Sequence, residues 1–552
     1  MFNNVKNRVR AADRYLMLAL ALAAAFALYG IWWGWVESWN PDDMAFRSLF
    51  AYRVLEPFDF QKPPFHTYVN FILSVLPFKI LTVIGNAITG TTWNLGPEKL
   101  WWSRLIQISF FLGIIYLSFK VAYRFAGSAA ARIVALITAT SAGLLVQTHF
   151  LTADVPVTFW MLASFYAAQS IVFNERMRTY VVAGLLVGIA TATKYNGLAV
   201  GLAIPVFHFY AHRDKPFWRM LFEKRLVVGV AMVVVGFIAA NPYAILDYPR
   251  FAADFAFNYA VTPVYGGGES NQYGFGAFLL AVPDIIGWPV TLVIAIGAVY
   301  AIGRLRQGNL AESATVAAAL AVFALYFIQF GRAPRIEVRF VVPVVIYLLI
   351  ASASFWSSAI PRYRRAAMAL VAALIVYNAV ACFWVGKRFA EDPRMQAQAW
   401  VAFNVPAHST IESTPYVPHW NLYWGVDIND VRSPVVSGRA VALSHVFKSN
   451  ESMMEEISRR ESDAGVQWYK PESLKQRDPQ FVALDSMYFN RFLEEYALDY
   501  PRMQSFVTDL LANRLGYHKV YDRAARSSPI WLYPREITYL DNEMVILRRD
   551  VR

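Results

Sequence analysis

The chain is short of charge: only 16% of its 552 residues are Asp, Glu, Lys or Arg, while 57% are hydrophobic. Soluble domains usually carry about 25% charged and 45–50% apolar residues, so much of this surface is built to face lipid. The sequence also has a single cysteine, Cys382, inside an apolar run. One thiol forms no intrachain disulfide, so Cys382 reads as a small packed apolar residue. No internal repeat and no low-complexity segment stands out, which weighs against an inverted-repeat transporter. Disorder and collagen are excluded by composition. The net charge is +12, yet no basic, aromatic-interleaved domain gathers the excess, and nucleic acid is not expected as a partner.

What is present is a series of apolar stretches approaching the ~20 residues a spanning helix needs, running from Tyr15 to about Trp384. The first follows Lys6, Arg8, Arg10 and Arg14 and lacks a small-residue cleavage site, so it reads as a retained anchor. Lys and Arg stay on the cytoplasmic side of short loops. The basic loops are the N-terminus, Lys120 to Arg132, Arg176 with Arg178, Arg213 to Arg225, Arg304 with Arg306, and Arg362 to Arg365. They alternate with loops poor in such charge: after His149, at Tyr195, from Tyr243 to Gly274, and after Trp384. The alternation closes if His66 to Gly85, interrupted by Pro77 and Lys79, is an interfacial or re-entrant helix in a first external loop from Glu37 to Trp102. The expected fold is therefore a polytopic α-helical membrane protein of about eleven spans, with the N-terminus cytoplasmic. Residues 1–386 form the membrane part. Residues 387–552, charged and with strand-like runs, form a C-terminal extracytoplasmic α/β domain of ordinary size.

Four polar groups fall on the expected external side, where a charge is costly near the bilayer. Asp42 and Asp43 follow the first span. Adjacent carboxylates repel, so a cation, donors or water compensates them, or one becomes a base with a raised pKa; a helix cap with a first-turn acid is the plainer reading. Lys62 precedes Pro63 and Pro64, which start a helix and hold the ammonium at headgroup level to meet a phosphate, although snorkelling explains its position equally. His66 lies one turn further on, a possible substrate contact or a packed histidine. Asp154 sits in a tight turn before Val155 and Pro156, as a cap or as the third member of a carboxylate cluster with Asp42 and Asp43. Arg332, Arg335 and Arg339 break the orientation bias within eight residues, a pattern that suits an anionic ligand because guanidinium forks match phosphate oxygens. Lys194 stands at another external helix end and adds to this positive region, or snorkels. The glycine run between Tyr265 and Tyr273 suits a lid, with both tyrosines as substrate contacts or as members of an interfacial aromatic belt.

The short runs NPDDM (from Asn40), KPPF (from Lys62), TADVP (from Thr152), ATKYNG (from Ala192) and RFVVP (from Arg339) come in a fixed order on one expected side. Together they resemble the glycosyltransferase C superfamily, in particular the bacterial protein O-mannosyltransferase-like and lipid A aminoarabinose transferase-like enzymes of glycosyltransferase family 39 type. The resemblance implies a bacterial inner-membrane enzyme that moves a sugar from a polyprenyl-phosphate donor to a hydroxyl of a lipid, glycan or protein acceptor. It makes Asp42 the catalytic carboxylate, Asp154 the second acidic position, and Lys62 and Arg339 the residues that meet the donor phosphate. The family often has Asp-Glu where this chain has Asp42-Asp43. No cofactor is implied with certainty; Asp42, Asp43 and Asp154 would be the ligands of Mg2+ or Mn2+ if one is used, since hard cations prefer oxygen. The rival from another class is a flippase of a phosphate-bearing lipid-linked sugar, whose charges should continue through the bilayer.

Overall fold

The computed structural model describes residues 13–34, 37–40, 55–57, 59–90, 98–261, 274–332, 336–422, 425–434, 468–494, 500–524, 529, 531–532, 537, 539–540 and 542–550. Asp42, Asp43, Tyr265, Tyr273 and Arg335 lie outside them. The described chain is dominated by apolar helices: α1 (Arg14–Leu28), α2 (Phe65–Thr89), α3 (Glu98–Ala139), α4 (Ala142–His149), α5 (Asp154–Gln169), α6 (Met177–Thr193), α7 (Ala203–Ala211), α8 (Lys224–Ala240), α9 (Tyr248–Val261), α10 (Gly274–Ile286), α11 (Trp288–Arg304), α12 (Leu310–Phe330), α13 (Val338–Arg362) and α14 (Arg364–Ala390). Six of the helical segments are long and apolar enough to cross a membrane, or seven if α10 and α11 count as one bent span. Helix α2, expected to be interfacial or re-entrant, is one of the six, and α1 and α6 are shorter apolar helices.

Local chemistry accounts for the breaks. Asp13 caps α1 by accepting from the Tyr15 and Leu16 amides, and its other oxygen pairs with Arg132 Nε at 2.8 Å, tying the first helix to α3. Gly127, at φ +83°, divides α3, a conformation that costs glycine little. The pair α10 and α11 bends by 117° at Gly287, φ +79°, where a Cβ would stand 2.7 Å from the Tyr377 ring. Helices α6 and α8 pack backbone to backbone through Gly184, Gly188 and Gly236. A Cβ on Gly184 would lie 2.1 Å from the Gly229 carbonyl oxygen, and without hydrophobic driving force between helices in lipid, such close approach is what holds them.

One expectation is corrected here. Pro77 and Lys79 do not interrupt the run after His66: α2 is continuous, because a π-helical turn over Phe71–Val75 precedes the proline and leaves it in the first turn of the next segment, where its missing N–H is tolerated. Its outer residues, including Ile80, Leu81, Val83 and Ile88, are exposed.

After α14 the pattern changes. Helix α15 (Pro393–Asn404) leads into a five-stranded sheet of order β2-β1-β3-β5-β4, with β1 (Thr410–Ser413), β2 (Asn429–Arg432), β3 (Phe481–Asp485), β4 (Tyr517–Arg523) and β5 (Met544–Arg549). Strand β1 runs parallel to β2 and β3, while β5 is antiparallel to both β3 and β4. This small mixed sheet is joined to the helical part by buried polar contacts. Trp33 Nε1 donates to Asp392 at 2.8 Å, and Asp392 pairs with Arg394 at 2.7 Å, both side chains fully buried. Arg394 also lies over the Trp39 ring. Burial would raise Glu37, but hydrogen bonds and charge from His419 hold its carboxylate below the ordinary range.

At the end of β3, burial pushes the Asp485 carboxyl up to about 7, against the pull of Arg394 and hydrogen bonds from Asn542 and the Met487 amide. Its unfolded value is about 3.9. The unfolded chain therefore sheds its proton first, and the stability gained by burying the neutral acid is complete below about pH 4 and lost as pH rises through 7. Hydrogen-exchange protection of β3 is expected to fall between pH 5 and pH 8, and Asp485→Asn, which keeps an acceptor for Met487, should flatten that profile.

Candidate functional site

The site is assembled from chain segments that meet at one end of the helical bundle. The segment before Lys62 is strapped down by its backbone: the Phe60 amide donates to Asp254 Oδ2 at 2.9 Å, its carbonyl accepts from the Tyr195 hydroxyl at 2.6 Å, and Asn258 Nδ2 donates to the Gln61 carbonyl at 3.0 Å. The Phe60 side chain is buried against Phe251. Pro63 and Pro64 are buried as well, while Lys62 is exposed. The two prolines and the fixed backbone thus hold an outward-facing ammonium beside α9 and the start of the Tyr195 turn.

Asp154 is not an exposed turn residue. It is the first residue of α5, only 2% exposed, and its Oδ1 is 2.6 Å from Lys194 Nζ. Ala153 takes the cap position and no side-chain cap forms, so the carboxylate is committed to an ion pair across the bundle. Lys194, at the C-terminal end of α6, gives its charge to that carboxylate and lies 5.2 Å from the Phe340 ring. Since Lys194 Nζ already faces Asp154, a divalent ion using this carboxylate would sit against a bound ammonium. His66 is buried beside the same acid: it hydrogen-bonds the Leu151 backbone, feels the Asp154 charge and contacts Asn70 Nδ2. It is a packed group of the site wall.

Phe340 links this cluster to the arginine segment. Its ring is 5.4 Å from the Arg339 guanidinium carbon and stacks on Phe330. Arg339 Nε is 2.6 Å from Glu337, so part of its charge is balanced locally. Arg332 is exposed at the turn after α12, where Gly331 meets the Phe275 ring that follows the glycine-rich loop. A cavity of about 50 Å³ opens beside Arg339, with Glu337, Asp284, Gln147, Asn40 and Tyr539 on its walls. Asn40 is two residues ahead of Asp42.

Sequence reasoning passed over Asp284, Gln147 and Tyr539. An acid within the apolar run of α10 was the available signal for Asp284, because an ionisable group in such a helix is expensive unless it serves a site. Gln147 carried no comparable mark. Tyr539 and Ile537, also on the cavity wall, come from the tail, to which no part in the site had been given.

The fold has known counterparts. Residues 84–244 match the family model described as dolichyl-phosphate-mannose-protein mannosyltransferase. Over 97% of the chain and 98% of the other, the structure is similar to ArnT from Cupriavidus metallidurans bound to undecaprenyl phosphate, with 15% identity and a TM-score of 0.52. The apo state of that protein matches with the same figures. The chain has the glycosyltransferase C fold. No curated protein matches the sequence. The superfamily resemblance drawn from the five short runs is borne out at the level of fold, with apolar helices followed by a small C-terminal sheet. The mannosyltransferase family match, residues 84–244, falls within the helical part of that fold.

Proposed function

We propose that the chain transfers a sugar from a polyprenyl-phosphate donor to an acceptor hydroxyl at the outer face of a bacterial inner membrane, with inversion at the anomeric carbon. The observation that carries this reading is convergence. The Lys62 strap, the Asp154–Lys194 pair and the Arg339 cavity share one end of the bundle, and Asn40 brings the start of the Asp42 segment to the cavity wall. The bound lipid in the ArnT match supports a lipid-linked donor. In this reading residues 1–386 are the membrane catalytic part, and residues 387–552 an extracytoplasmic domain that closes one wall of the cavity.

The donor phosphate lies between Lys62 and Arg339. As the bond from the anomeric carbon to the phosphate oxygen breaks, negative charge grows on the leaving polyprenyl phosphate, and the two cations stabilise it. The acceptor oxygen attacks from the opposite face while Asp42 takes its proton. Asp154 holds Lys194 and shapes the wall behind these groups. Arg332 extends the positive surface that attracts the phosphate, and in this reading Arg335 is a further phosphate ligand, Asp43 a second acid, and Tyr265 and Tyr273 substrate contacts.

Purified protein incubated with a panel of polyprenyl-phosphate sugars and candidate acceptors should release free polyprenyl phosphate in step with a glycosidic product. Movement of labelled lipid across vesicles without any such product would favour a flippase and overturn the transferase. Lys62→Ala is expected to lower kcat/KM for the donor by about 10- to 100-fold, the loss of one hydrogen bond to a charged group. A donor kcat/KM equal to that of the unmodified protein would remove Lys62 from the phosphate site.

A further inference from the structure

At the other end of α6 lies a second polar cluster that the transfer reaction does not use. Helix α6 has 17 residues, so its ends are about 25 Å apart; Lys194 follows one end and Glu175 precedes the other. There His208 on α7 and His212, four residues on at its C-cap, meet Glu223 at the N-cap of α8. One donor atom from each of these three residues lies within 4.8 Å of the others. His212 Nε2 is 3.1 Å from Glu223 Oε2 and 3.1 Å from Glu175 Oε2. His208 Nε2 is 3.8 Å from Glu223 Oε2.

The ring of His212 decides what this cluster is for. His212 is 4% exposed. Its Nδ1 is 3.0 Å from the His208 carbonyl oxygen, so Nδ1 carries the hydrogen and donates it. The other nitrogen then turns a lone pair toward two carboxylate oxygens, and no hydrogen-bond donor reaches it among the described residues. An acceptor aimed at two acceptors is relieved either by a proton on Nε2 or by a metal ion between them. Imidazole nitrogen with carboxylate oxygen is the donor set of a zinc-type ion, and a ring held through its other N–H by a backbone carbonyl is the usual support of a metal-bound histidine.

We propose that His208, His212, Glu223 and Glu175 bind one divalent transition-metal ion at the end of the bundle remote from the transferase site. His212 Nε2 stands 3.1 Å from one oxygen of each glutamate and His208 Nε2 3.8 Å from Glu223 Oε2, close to the edge of roughly 3.3–3.6 Å of a tetrahedron with bonds of about 2.0–2.2 Å. His208 Nδ1 is 2.7 Å from the Tyr180 hydroxyl. By the same rule His208 Nε2, 3.0 Å from the Met220 carbonyl, carries its hydrogen here; binding the ion moves that hydrogen to Nδ1, which then donates to the Tyr180 hydroxyl, a group that both donates and accepts. Arg225 pairs with both glutamates, and Lys215 Nζ is 3.3 Å from Glu223 Oε2. Lys215 is half exposed and swings out to water when the ion enters. The ion would pin the loops before α6 and α8 to the end of α7.

The test uses Zn2+ as the probe on untagged full-length protein in lipid nanodiscs, first stripped with a chelator. One equivalent of zinc per chain should survive desalting, and the melting temperature should rise with zinc and fall back with chelator. His212→Gln and Glu223→Gln should each weaken binding at least tenfold. Lys215→Met should strengthen it about tenfold, because a like charge some 5 Å away is removed. If His212→Gln fails to fold, Glu175→Gln in the exposed loop replaces it, with the visible absorption of bound Co2+ in the unmodified protein as a second readout of tetrahedral nitrogen and oxygen ligation. Substoichiometric zinc on folded protein, or equal retention by the folded variants, would overturn the site and leave a proton on His212 as the cation.

Discussion

Asp42→Asn should lower the turnover number by about 10²- to 10⁴-fold, the usual share of a positioned general base, while donor binding and the melting temperature stay unchanged. The amide keeps the shape of the carboxylate and loses only its basicity. Direct displacement needs that basicity at one moment: when the acceptor oxygen begins to bond the anomeric carbon and its proton must leave. Measuring single-turnover rates beside equilibrium donor binding separates the two roles. A fall in donor affinity with unchanged turnover would move Asp42 from proton acceptor to binding group. Activity equal to the unmodified protein would remove it from the chemistry and favour a non-catalytic subunit. Asn40 lines the cavity beside Arg339 and precedes Asp42 by two residues in the chain.

The second large effect concerns the Asp154–Lys194 pair. Lys194→Met is expected to destabilise the protein by about 3–5 kcal/mol, because it strands a buried carboxylate without its counter-charge. Asp154 has 3% of its side chain exposed and Lys194 24%, so removing the acid should cost less than removing the lysine: the ammonium has a route to water. The double substitution Asp154→Asn with Lys194→Met should recover most of the loss, since replacing both charges of a buried pair is often close to neutral. Thermal unfolding of the four proteins in one lipid composition closes the cycle. A Lys194→Met protein as stable as the original would show that the pair contributes nothing to stability. Activity separates structure from chemistry: if the double variant is stable but inactive, the pair also shapes the transfer site.

Several features were legible in the residue order because they depend on neighbours along the chain. Low charge and recurring apolar runs announced a membrane protein, and KPPF, TADVP and RFVVP marked segments that do meet at one end of the bundle. Periodicity and loop charge did not anticipate the bend at Gly287 or the π turn that carries α2 past Pro77. Both are backbone adjustments whose cost is set by what packs against them, here the Tyr377 ring at Gly287. The meaning of individual charges was also hidden. Asp154 read as a cap or a third carboxylate of a cluster, and Lys194 as part of the positive region or a snorkelling lysine; that the two are partners 40 residues apart was not legible.

The amino-acid order by itself determined the solvent this protein folds in, its helical class, the change to a sheet-bearing tail, and which short runs carry charge where lipid discourages it. Tertiary structure decided which charges face each other: Lys194 with Asp154, Arg339 with Glu337, and Asp284 and Tyr539 on the same cavity wall. The physical reason is distance. Hydropathy and capping act within a few residues, whereas electrostatic pairing depends on separations of a few ångströms between side chains that only packing brings together.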